Sequence, residues 1–334
     1  MNIEFIKFVS IAAAVSGFTN LTLLIFLKSK KEILDTDKKF HAIHKEPVPR
    51  IGGISIFFSF LLALYFINNL TFIKFFLPAI LVFGLGIIED LKKDISPKLR
   101  LFFLFFVSVI SMWFLKIRID SIGFLSLPPF VAIFLTLVAI AGFTNAINII
   151  DGLNGLASGI SAIFLLFLGL AFYECGYPDI ALLCFVIIGG ILGFLVFNFP
   201  YGKIFLGDGG AYFLGFMCAV LSIKLLNLVP EISPWFPFML GIYPVWEVLF
   251  SAYRRWKKGK HPFYPDKLHF HTLIYYRLTR SNPKASVLII VGTFIFSSVA
   301  YLLKTCTFCL VIEFFVFVVV YSIVYKRLVR VVKT

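Results

Sequence analysis

Long apolar runs separated by short polar stretches make up most of this 334-residue chain. Eleven runs are of about 18–24 residues, long enough to cross a bilayer as helices. The runs are continuous, whereas strands of a membrane barrel alternate apolar and polar side chains, so helices are required. We therefore predict an all-α polytopic membrane protein with about eleven transmembrane helices. The candidate spans are 5–27, 51–69, 71–88, 99–116, 122–143, 155–173, 178–197, 204–226, 235–253, 286–304 and 306–325.

The composition argues against a soluble globular protein. Hydrophobic residues make up 60% of the chain and charged residues only 14%, whereas soluble domains contain about 25% charged residues. The formal net charge of +14 could suggest nucleic-acid binding. In a membrane protein, however, Lys and Arg set the topology and attract anionic headgroups. We expect membrane lipids as partners and no nucleic acid.

Basic residues are unevenly divided between the two sets of loops. One set holds 25 of the 31 Lys and Arg residues, and the positive-inside rule makes this set cytoplasmic. The odd number of spans then predicts an N-terminus outside and a C-terminus inside. The first run lacks the features of a cleaved signal peptide, so we expect a first span. No internal repeat is visible, and we expect one domain over residues 1–334.

Five polar stretches lie in the loops predicted to be cytoplasmic or at the adjoining helix ends. They are 44–53, 89–98, 145–155, 205–210 and 266–271. Carboxylates, amides and imidazoles are costly to keep at the edge of a bilayer. Their concentration on one face therefore predicts a single cytoplasmic-face active site.

Asn145, Asn148, Asp151 and Asn154 recur at three-residue spacing. On a helix this spacing keeps the side chains near one face, which predicts a polar stripe. Carboxylate and amide oxygens suit Mg²⁺, which usually takes one or two carboxylates together with water and phosphate oxygens. A hydrogen-bonded ladder between helices is the alternative, although a ladder would not need the glycines at this end.

Glu89 and Asp90 end the third candidate span, and Asp208 is surrounded by glycines. One carboxylate of the pair could act as base or nucleophile while its neighbour tunes it. A solvated helix end paired with Lys92 and Lys93 is the alternative. Glycines around Asp208 would let backbone N–H groups approach a phosphate or a metal-bound anion. A tight turn capped by Asp208 is the alternative there.

The longest cytoplasmic loop, 254–285, combines cations with imidazoles. Zinc is one interpretation of its histidines, but no Cys lies nearby and the carboxylates elsewhere favour a harder ion. Cations with imidazoles suit a pyrophosphate better. The basic run 254–260 by itself is explained as a topology determinant. We expect a short amphipathic helix around 269–278 that covers the site.

The cysteines are sparse. Cys184 and Cys218 fall inside apolar runs and are interpreted as packing residues. Cys306 and Cys309 form a C-x-x-C at a predicted outer turn. We interpret them as two small apolar residues at a helix start, because a lone C-x-x-C is a weak metal or redox signal.

Taken together, the five stretches resemble the polyprenyl-phosphate N-acetylhexosamine-1-phosphate transferases, which include the MraY-type translocase. The motifs follow in order over nearly the whole chain. The resemblance implies transfer of a GlcNAc-type sugar 1-phosphate from a UDP-sugar to undecaprenyl phosphate, with release of UMP. It further implies Mg²⁺, with Mn²⁺ as an alternative, and a multi-pass protein of the bacterial inner membrane. A homodimer is compatible with it.

The resemblance also assigns roles to residues. Glu89, Asp90 and Asp151 match catalytic carboxylates, and Asn148 and Asp208 match Mg²⁺ ligands. Asn154 matches a uridine-contacting position, and the histidines match a motif that contacts the diphosphate. The implied substrate-binding residues are Lys45, Lys98, Asn145, Asn154, Arg254, Lys267, His269 and His271.

Three positions depart from the pattern of that family. Glu89 stands where Asp is usual, Asn154 replaces the second Asp of the DGxDG motif, and Thr272 stands where a further His often occurs. These changes make a muramyl-pentapeptide substrate less expected and weaken a mechanism with Glu89 as sole nucleophile. Direct attack by the lipid phosphate and a two-step route through an aspartyl-phosphate both fit.

Two functions from other classes are alternatives. An ion-coupled transporter would also carry intramembrane carboxylates, but usually near the midplane and often in two related halves. Here the polar residues cluster at one face. An inactive scaffold paralogue is the other alternative, and the presence of both Asp90 and Asp208 argues against it.

Overall fold

The computed structural model describes residues 3–27, 34–35, 48–67, 70–92, 95–259, 261 and 268–330. Helices make up nearly all of this part of the chain. They are α1 (Ile3–Leu27), α2 (Gly53–Ile67), α3 (Leu70–Lys92), α4 (Pro97–Leu115), α5 (Pro129–Ile150), α6 (Leu156–Glu174), α7 (Pro178–Asn198), α8 (Gly207–Leu228), α9 (Trp235–Leu240), α10 (Ile242–Lys257), α11 (Phe270–Ile274), α12 (Asn282–Leu302) and α13 (Thr307–Arg330).

Three short elements accompany the helices. A π-helical turn, Tyr275–Thr279, continues α11, so the helix predicted around 269–278 is present in two pieces. Strands β1 (Leu34–Asp35) and β2 (Val48–Pro49) form an antiparallel pair. The all-α prediction is confirmed apart from this two-residue ladder.

In the part of the chain that the structure describes, eight helices are long and apolar enough to cross a membrane: α1, α4 to α8, α12 and α13. The prediction of a polytopic membrane protein is therefore confirmed. The predicted spans 51–69, 71–88 and 235–253 correspond to α2, α3 and the α9–α10 pair. The last of these is two helices, because the chain breaks at Gly241, where a side chain would overlap the ring of Phe143.

The span predicted at 122–143 is displaced along the sequence. The chain before α5 forms a turn closed by a bridge between Ser121 and Ser126, and the helix begins at Pro129. Proline is favoured at the first helical position because its fixed φ suits the helix and its missing N–H is not needed there. At the other end α5 continues to Ile150. Asn145 and Asn148 are therefore helical residues.

Helix α8 lies at the centre of the fold and contacts α2, α3, α5 and α6. Almost every residue in its first four turns is buried. Glycines allow α2 and α3 to pass the N-terminus of α8 with their backbones in contact. A Cβ atom at Gly53 would overlap Gly210, and one at Gly86 would overlap Gly209. Small residues permit such close helix crossings in membrane proteins.

The loops gather at opposite ends of the helices. At one end, the N–H groups of Gly52 and Gly53 donate to the carbonyls of Phe205 and Leu206, both at 2.8 Å. At the other end, Ser233 N–H donates to the Lys304 carbonyl at 2.9 Å. The polar stretches around 50, 90, 151 and 208 thus share one end.

The cysteines divide into two kinds. Cys184 and Cys218 are free and buried, as expected for packing residues. Cys306 and Cys309 form a disulfide in the turn that begins α13. Our interpretation of this pair as two separate packing residues was therefore wrong. The two sulfurs are bonded because the three-residue separation brings their Cα atoms within 5.4 Å.

The close contact between α3 and α8 predicts that two glycines of α3 differ in how much their replacement by Ala changes stability. Gly86→Ala should destabilise the protein by roughly 1–3 kcal/mol, since its Cβ would overlap Gly209 and force α3 away from α8. Gly84 has open space at its Cβ position, so Gly84→Ala should be neutral or stabilising by up to ~1 kcal/mol. Thermal unfolding in detergent measures both, and equal effects would contradict the crossing.

Candidate active site

Asp90, near the C-terminal end of α3, caps α8. Its Oδ1 accepts a hydrogen bond from the N–H of Asp208 at 2.9 Å, and its Oδ2 accepts from the N–H of Gly209 at 3.0 Å. The first N–H groups of a helix lack partners within the helix, and the positive end of the helix dipole favours an anion there. Gly207 adopts a φ of +76° directly before these two donors.

The cap gives Asp90 a structural role beside any chemical one. Each carboxylate oxygen retains a further lone pair, so the same group can still contact a substrate. The assignment of Asp90 as a base stays a prediction. The geometry adds that Asp90 fixes the position of Asp208.

Asp208 is the first acidic residue of α8 and faces α5. Asn148 donates from Nδ2 to Asp208 Oδ1 at 2.7 Å. The two residues assigned to Mg²⁺ by the resemblance therefore lie together, although 60 residues separate them in sequence. The Asn148 amide also carries an acceptor oxygen, so both side chains can supply oxygen ligands.

Asp151 follows the end of α5, and its N–H donates to the carbonyl of Asn148. Burial raises the pKa of Asp151 to about 7; the charge of Arg50 lowers the pKa, and the charge of Asp208 raises it. Asp151 and Asp208 are thus close enough to repel each other. A cation between or beside them would relieve this repulsion.

The donor set fits Mg²⁺. Asp208 and Asn148 supply oxygen atoms, with Asp151 as a neighbouring carboxylate, and Mg²⁺ prefers such ligands. Within the described residues, no group of three or more His, Cys, Asp or Glu side chains is arranged to hold a metal. Mg²⁺ often keeps several waters and takes substrate phosphates as ligands, so it needs few ligands from the protein.

Glu89 points to a different set of partners. Its Oε1 accepts from Arg100 Nη1 at 2.6 Å, and its Oε2 accepts from the Tyr212 hydroxyl at 3.0 Å. Arg100 lies on α4 and Tyr212 on α8, so Glu89 links three helices. The alternative partner Lys92 is exposed. The catalytic role assigned to Glu89 stays a prediction, and the contacts show that it holds α3, α4 and α8 together.

The predicted polar stripe extends only as far as Asp151. Asn145 is half-buried one turn before Asn148. Asn154 is buried, and its Nδ2 donates to the Pro200 carbonyl at 2.9 Å. The prediction of a four-residue stripe is therefore wrong for Asn154, because α5 ends at Ile150 and the chain turns. Its contact with a uridine stays a prediction.

The histidine segment packs against the loop that contains Asp151. A Cβ atom built on Gly152 would lie 2.8 Å from Nε2 of His271, so the ring occupies space that any side chain at 152 would need. The rings of His269 and His271 stack with centroids 5.5 Å apart. Burial, with the charge of His269, lowers the pKa of His271 to about 4. His271 is thus uncharged at neutral pH.

The structure describes two of the remaining predicted residues, Arg254 and Lys98. Nη1 of Arg254 donates to the Leu268 carbonyl at 2.8 Å and to the Tyr325 hydroxyl at 2.6 Å, so its side chain holds the start of the histidine segment. Lys98 is exposed in the first turn of α4. Lys45 and Lys267 lie outside the described residues.

Three residues that contribute to the site were not singled out from the sequence. Arg50 acts electrostatically on both Asp90 and Asp151, Tyr212 binds Glu89, and Glu247 binds His269. Glu247 had a usable signal, since it is the only acidic residue in the run 235–253. Tyr212 had none, because an aromatic residue in an apolar helix is ordinary.

Known bacterial proteins are similar to this chain in sequence. The undecaprenyl-phosphate alpha-N-acetylglucosaminyl 1-phosphate transferase of Salmonella typhi is 31% identical over 308 residues, covering 87% of this chain and 83% of that protein. The family model of glycosyl transferase family 4 matches residues 72–226. The chain belongs to this family. The family 4 match runs from α3 to α8 and includes Asp90, Asp151 and Asp208.

Two further relatives come from other bacteria. The probable undecaprenyl-phosphate N-acetylglucosaminyl 1-phosphate transferase of Bacillus subtilis is 34% identical over 291 residues, covering 83% of this chain and 79% of that protein. The undecaprenyl-phosphate alpha-N-acetylglucosaminyl 1-phosphate transferase of Thermotoga maritima is 33% identical over 265 residues, covering 78% of each. Both alignments extend beyond the region matched by the family 4 model.

Replacing two aspartates of the site by Asn should change the stability of the protein in opposite directions. Asp90→Asn should lower stability by about 1–3 kcal/mol, because one of the two acceptor oxygens is replaced by an NH₂ group that faces a backbone N–H. Asp151→Asn should raise stability in metal-free buffer, because an ionised Asp151 is disfavoured in the folded state.

The pH dependence separates the two effects. Asp151 has a folded pKa of about 7 against an ordinary value of 3.8. The stabilisation by Asp151→Asn should therefore be absent at low pH, grow as the pH rises between these values and be complete above about 7. Thermal unfolding with EDTA at several pH values measures it. A stabilisation that shrinks with rising pH would contradict the burial of this carboxyl.

Proposed function

We propose that this protein transfers a GlcNAc-type N-acetylhexosamine 1-phosphate from a UDP-sugar to undecaprenyl phosphate and releases UMP. The product is the first lipid-linked intermediate of a cell-surface polysaccharide. The observation that carries the proposal is the convergence of Asp90, Asp151, Asp208 and Asn148 at the start of α8. It occurs in a chain whose relatives are named for this reaction on undecaprenyl phosphate.

The reaction needs one phosphorus–oxygen bond to form and one to break. An oxygen of the lipid phosphate bonds to the sugar-linked phosphorus of the donor. The bond from that phosphorus to the bridging oxygen breaks, and its electron pair leaves with UMP. Because both reactants are anionic, the protein must mainly position them and offset negative charge.

The position of each residue indicates its proposed role in the reaction. Asp90 orients the lipid phosphate or takes its proton while it holds Asp208 in place. Arg50 supplies positive charge near Asp90 and Asp151. The stacked rings of His269 and His271 stand beside the Asp151 loop, where the uncharged His271 can donate one hydrogen bond to the donor diphosphate.

Asp208 and Asn148 are the proposed ligands of Mg²⁺, with Mn²⁺ as the alternative ion. When bound, the ion would neutralise charge on the diphosphate and on departing UMP. Direct attack and an aspartyl-phosphate route remain the two forms of the proposal. A phosphorylated enzyme trapped without lipid acceptor would exclude the direct form.

We further propose eleven membrane crossings with the N-terminus outside and the C-terminus inside. Helix α2 starts and α3 ends beside the N-terminus of α8, so α2 and α3 together form a crossing pair. The α9–α10 pair likewise leads from the end that holds Ser233 back to the histidine segment. The protein then lies in the bacterial inner membrane. Its site faces the cytoplasm, where soluble UDP-sugars are made.

Release of UMP tests the reaction. Purified protein with Mg²⁺ and undecaprenyl phosphate should release UMP from at least one of UDP-GlcNAc, UDP-GalNAc or a UDP-linked 6-deoxy amino sugar. Omitting the lipid phosphate or adding EDTA should stop it. Asp208→Ala should reduce release by at least about 100-fold.

Asp179→Ala is the matched control, because Asp179 is also a first-turn carboxylate but lies exposed on α7. It should retain full turnover. A folded wild-type protein that releases no UMP with any donor would refute the proposal. Solute uptake into proteoliposomes without UMP release would point to an ion-coupled transporter, and silence in both assays to an inactive scaffold.

The topology can be tested by thiol labelling. In a background lacking the free cysteines Cys175, Cys184 and Cys218, Phe124→Cys should react with a membrane-impermeant maleimide in intact spheroplasts. Tyr201→Cys should react only after permeabilisation. Both side chains are highly exposed, at 69% and 81%, so accessibility within the protein does not distinguish them. The reverse pattern would invert the proposed orientation.

A further inference from the structure

Glu247 is a fully buried carboxylate on α10, with no exposed surface. Its Oε1 lies 2.8 Å from Nδ1 of His269 and accepts from the N–H of Phe270 at 3.2 Å. It also accepts from the Ser251 hydroxyl at 3.2 Å. Its Oε2 accepts from the Tyr321 hydroxyl at 2.6 Å. Both oxygens are therefore satisfied.

A buried carboxylate is costly unless it is fully hydrogen-bonded. The partners of Glu247 come from three separate places: α10 itself, the histidine segment and the last helix, α13. The contacts to His269 and Phe270 hold the first residues of α11, and the contact to Tyr321 anchors that segment to α13. Glu247 thus fixes where the histidine segment begins.

The same contacts fix the orientation of the His269 ring. An ionised carboxylate only accepts hydrogen bonds, so Nδ1 of His269 carries a hydrogen toward Glu247. On the opposite edge, Nε2 lies 3.3 Å from Nη2 of Arg255. With a partner on each nitrogen, the ring has one favoured orientation.

The orientation is passed to the candidate active site through ring contact. His269 stacks on His271 with an interplanar angle of 11°, and His271 occupies the space beside Gly152. Gly152 is the neighbour of Asp151. A continuous series of packed groups therefore joins Glu247 to the loop of the catalytic carboxylate.

We propose that Glu247 is a positioning residue: its buried carboxylate, anchored by Tyr321, orients His269 and thereby packs His271 against the Asp151 loop. His271 then stands ready for the donor diphosphate before it binds. This role deepens the proposed function and rests on it. Glu247 does not touch the reacting atoms.

Steady-state kinetics of three variants test the role. Glu247→Ala should lower kcat by about 100-fold with little change in KM for the UDP-sugar, because misplaced groups lose rate more than ground-state binding. Glu247→Gln keeps an acceptor oxygen of the same shape and should lose only about 3-fold. Tyr321→Phe removes one anchor and should lose about 10-fold.

Glu313→Gln is the matched control. Glu313 is a buried glutamate like Glu247, but it lies on α13. Neither of its carboxylate oxygens has a hydrogen-bond partner among the described residues. It should keep kcat within about 2-fold. The proposal is overturned if Glu247→Ala retains wild-type kcat, if Glu247→Gln is as inactive as Glu247→Ala, or if Glu313→Gln loses as much.

A second measurement does not depend on turnover. The chain has five histidines, so ¹⁵N-histidine labelling gives few ring signals, and His269→Gln identifies the signal of His269. In wild type this ring should show a fixed Nδ1–H tautomer, and Glu247→Ala should convert it to a tautomer mixture. An unchanged signal overturns the proposal, even if Glu247→Ala fails to turn over. A changed signal in a wild-type protein that releases no UMP would refute the reaction and keep the positioning role.

Discussion

The contact between the Asp90 carboxylate and the N-terminus of α8 is the interaction on which the site depends. Two backbone N–H groups that α8 cannot satisfy internally are bonded by a side chain from α3. The contact requires α3 to approach at backbone distance, which Gly86 and Gly209 allow. Without that approach, Asp208 would not be held opposite Asn148.

The site concentrates negative charge around Asp151 and Asp208. Asp151 and Asp208 repel each other, and burial adds to the cost of ionising Asp151. A fold selected for stability alone would remove one of these charges. The proposed divalent cation, bound beside both carboxylates, would offset their mutual repulsion.

Glu89 and Glu247 each link separate elements of the fold. Glu89 is fully paired with Arg100 and Tyr212, and Glu247 with His269, Tyr321 and its backbone partner. The longer side chain reaches across an interhelical gap and satisfies two elements at once. The short carboxylates of Asp151 and Asp208 stay near the backbone at helix ends, where a substrate can approach. The departure from Asp at position 89 is consistent with this division.

The sequence by itself determined the membrane class and the order of the helices, and it predicted the face on which the polar stretches lie. Hydrophobic length and the distribution of Lys and Arg depend on local composition, so they are readable without a structure. It also indicated Asp90, Asn148, Asp151 and Asp208 as site residues. Tertiary structure decided what each of them touches. That Asp90 caps α8, that Asn154 turns away and that Glu247 holds His269 follow from contacts between distant segments, and no local pattern encodes such contacts.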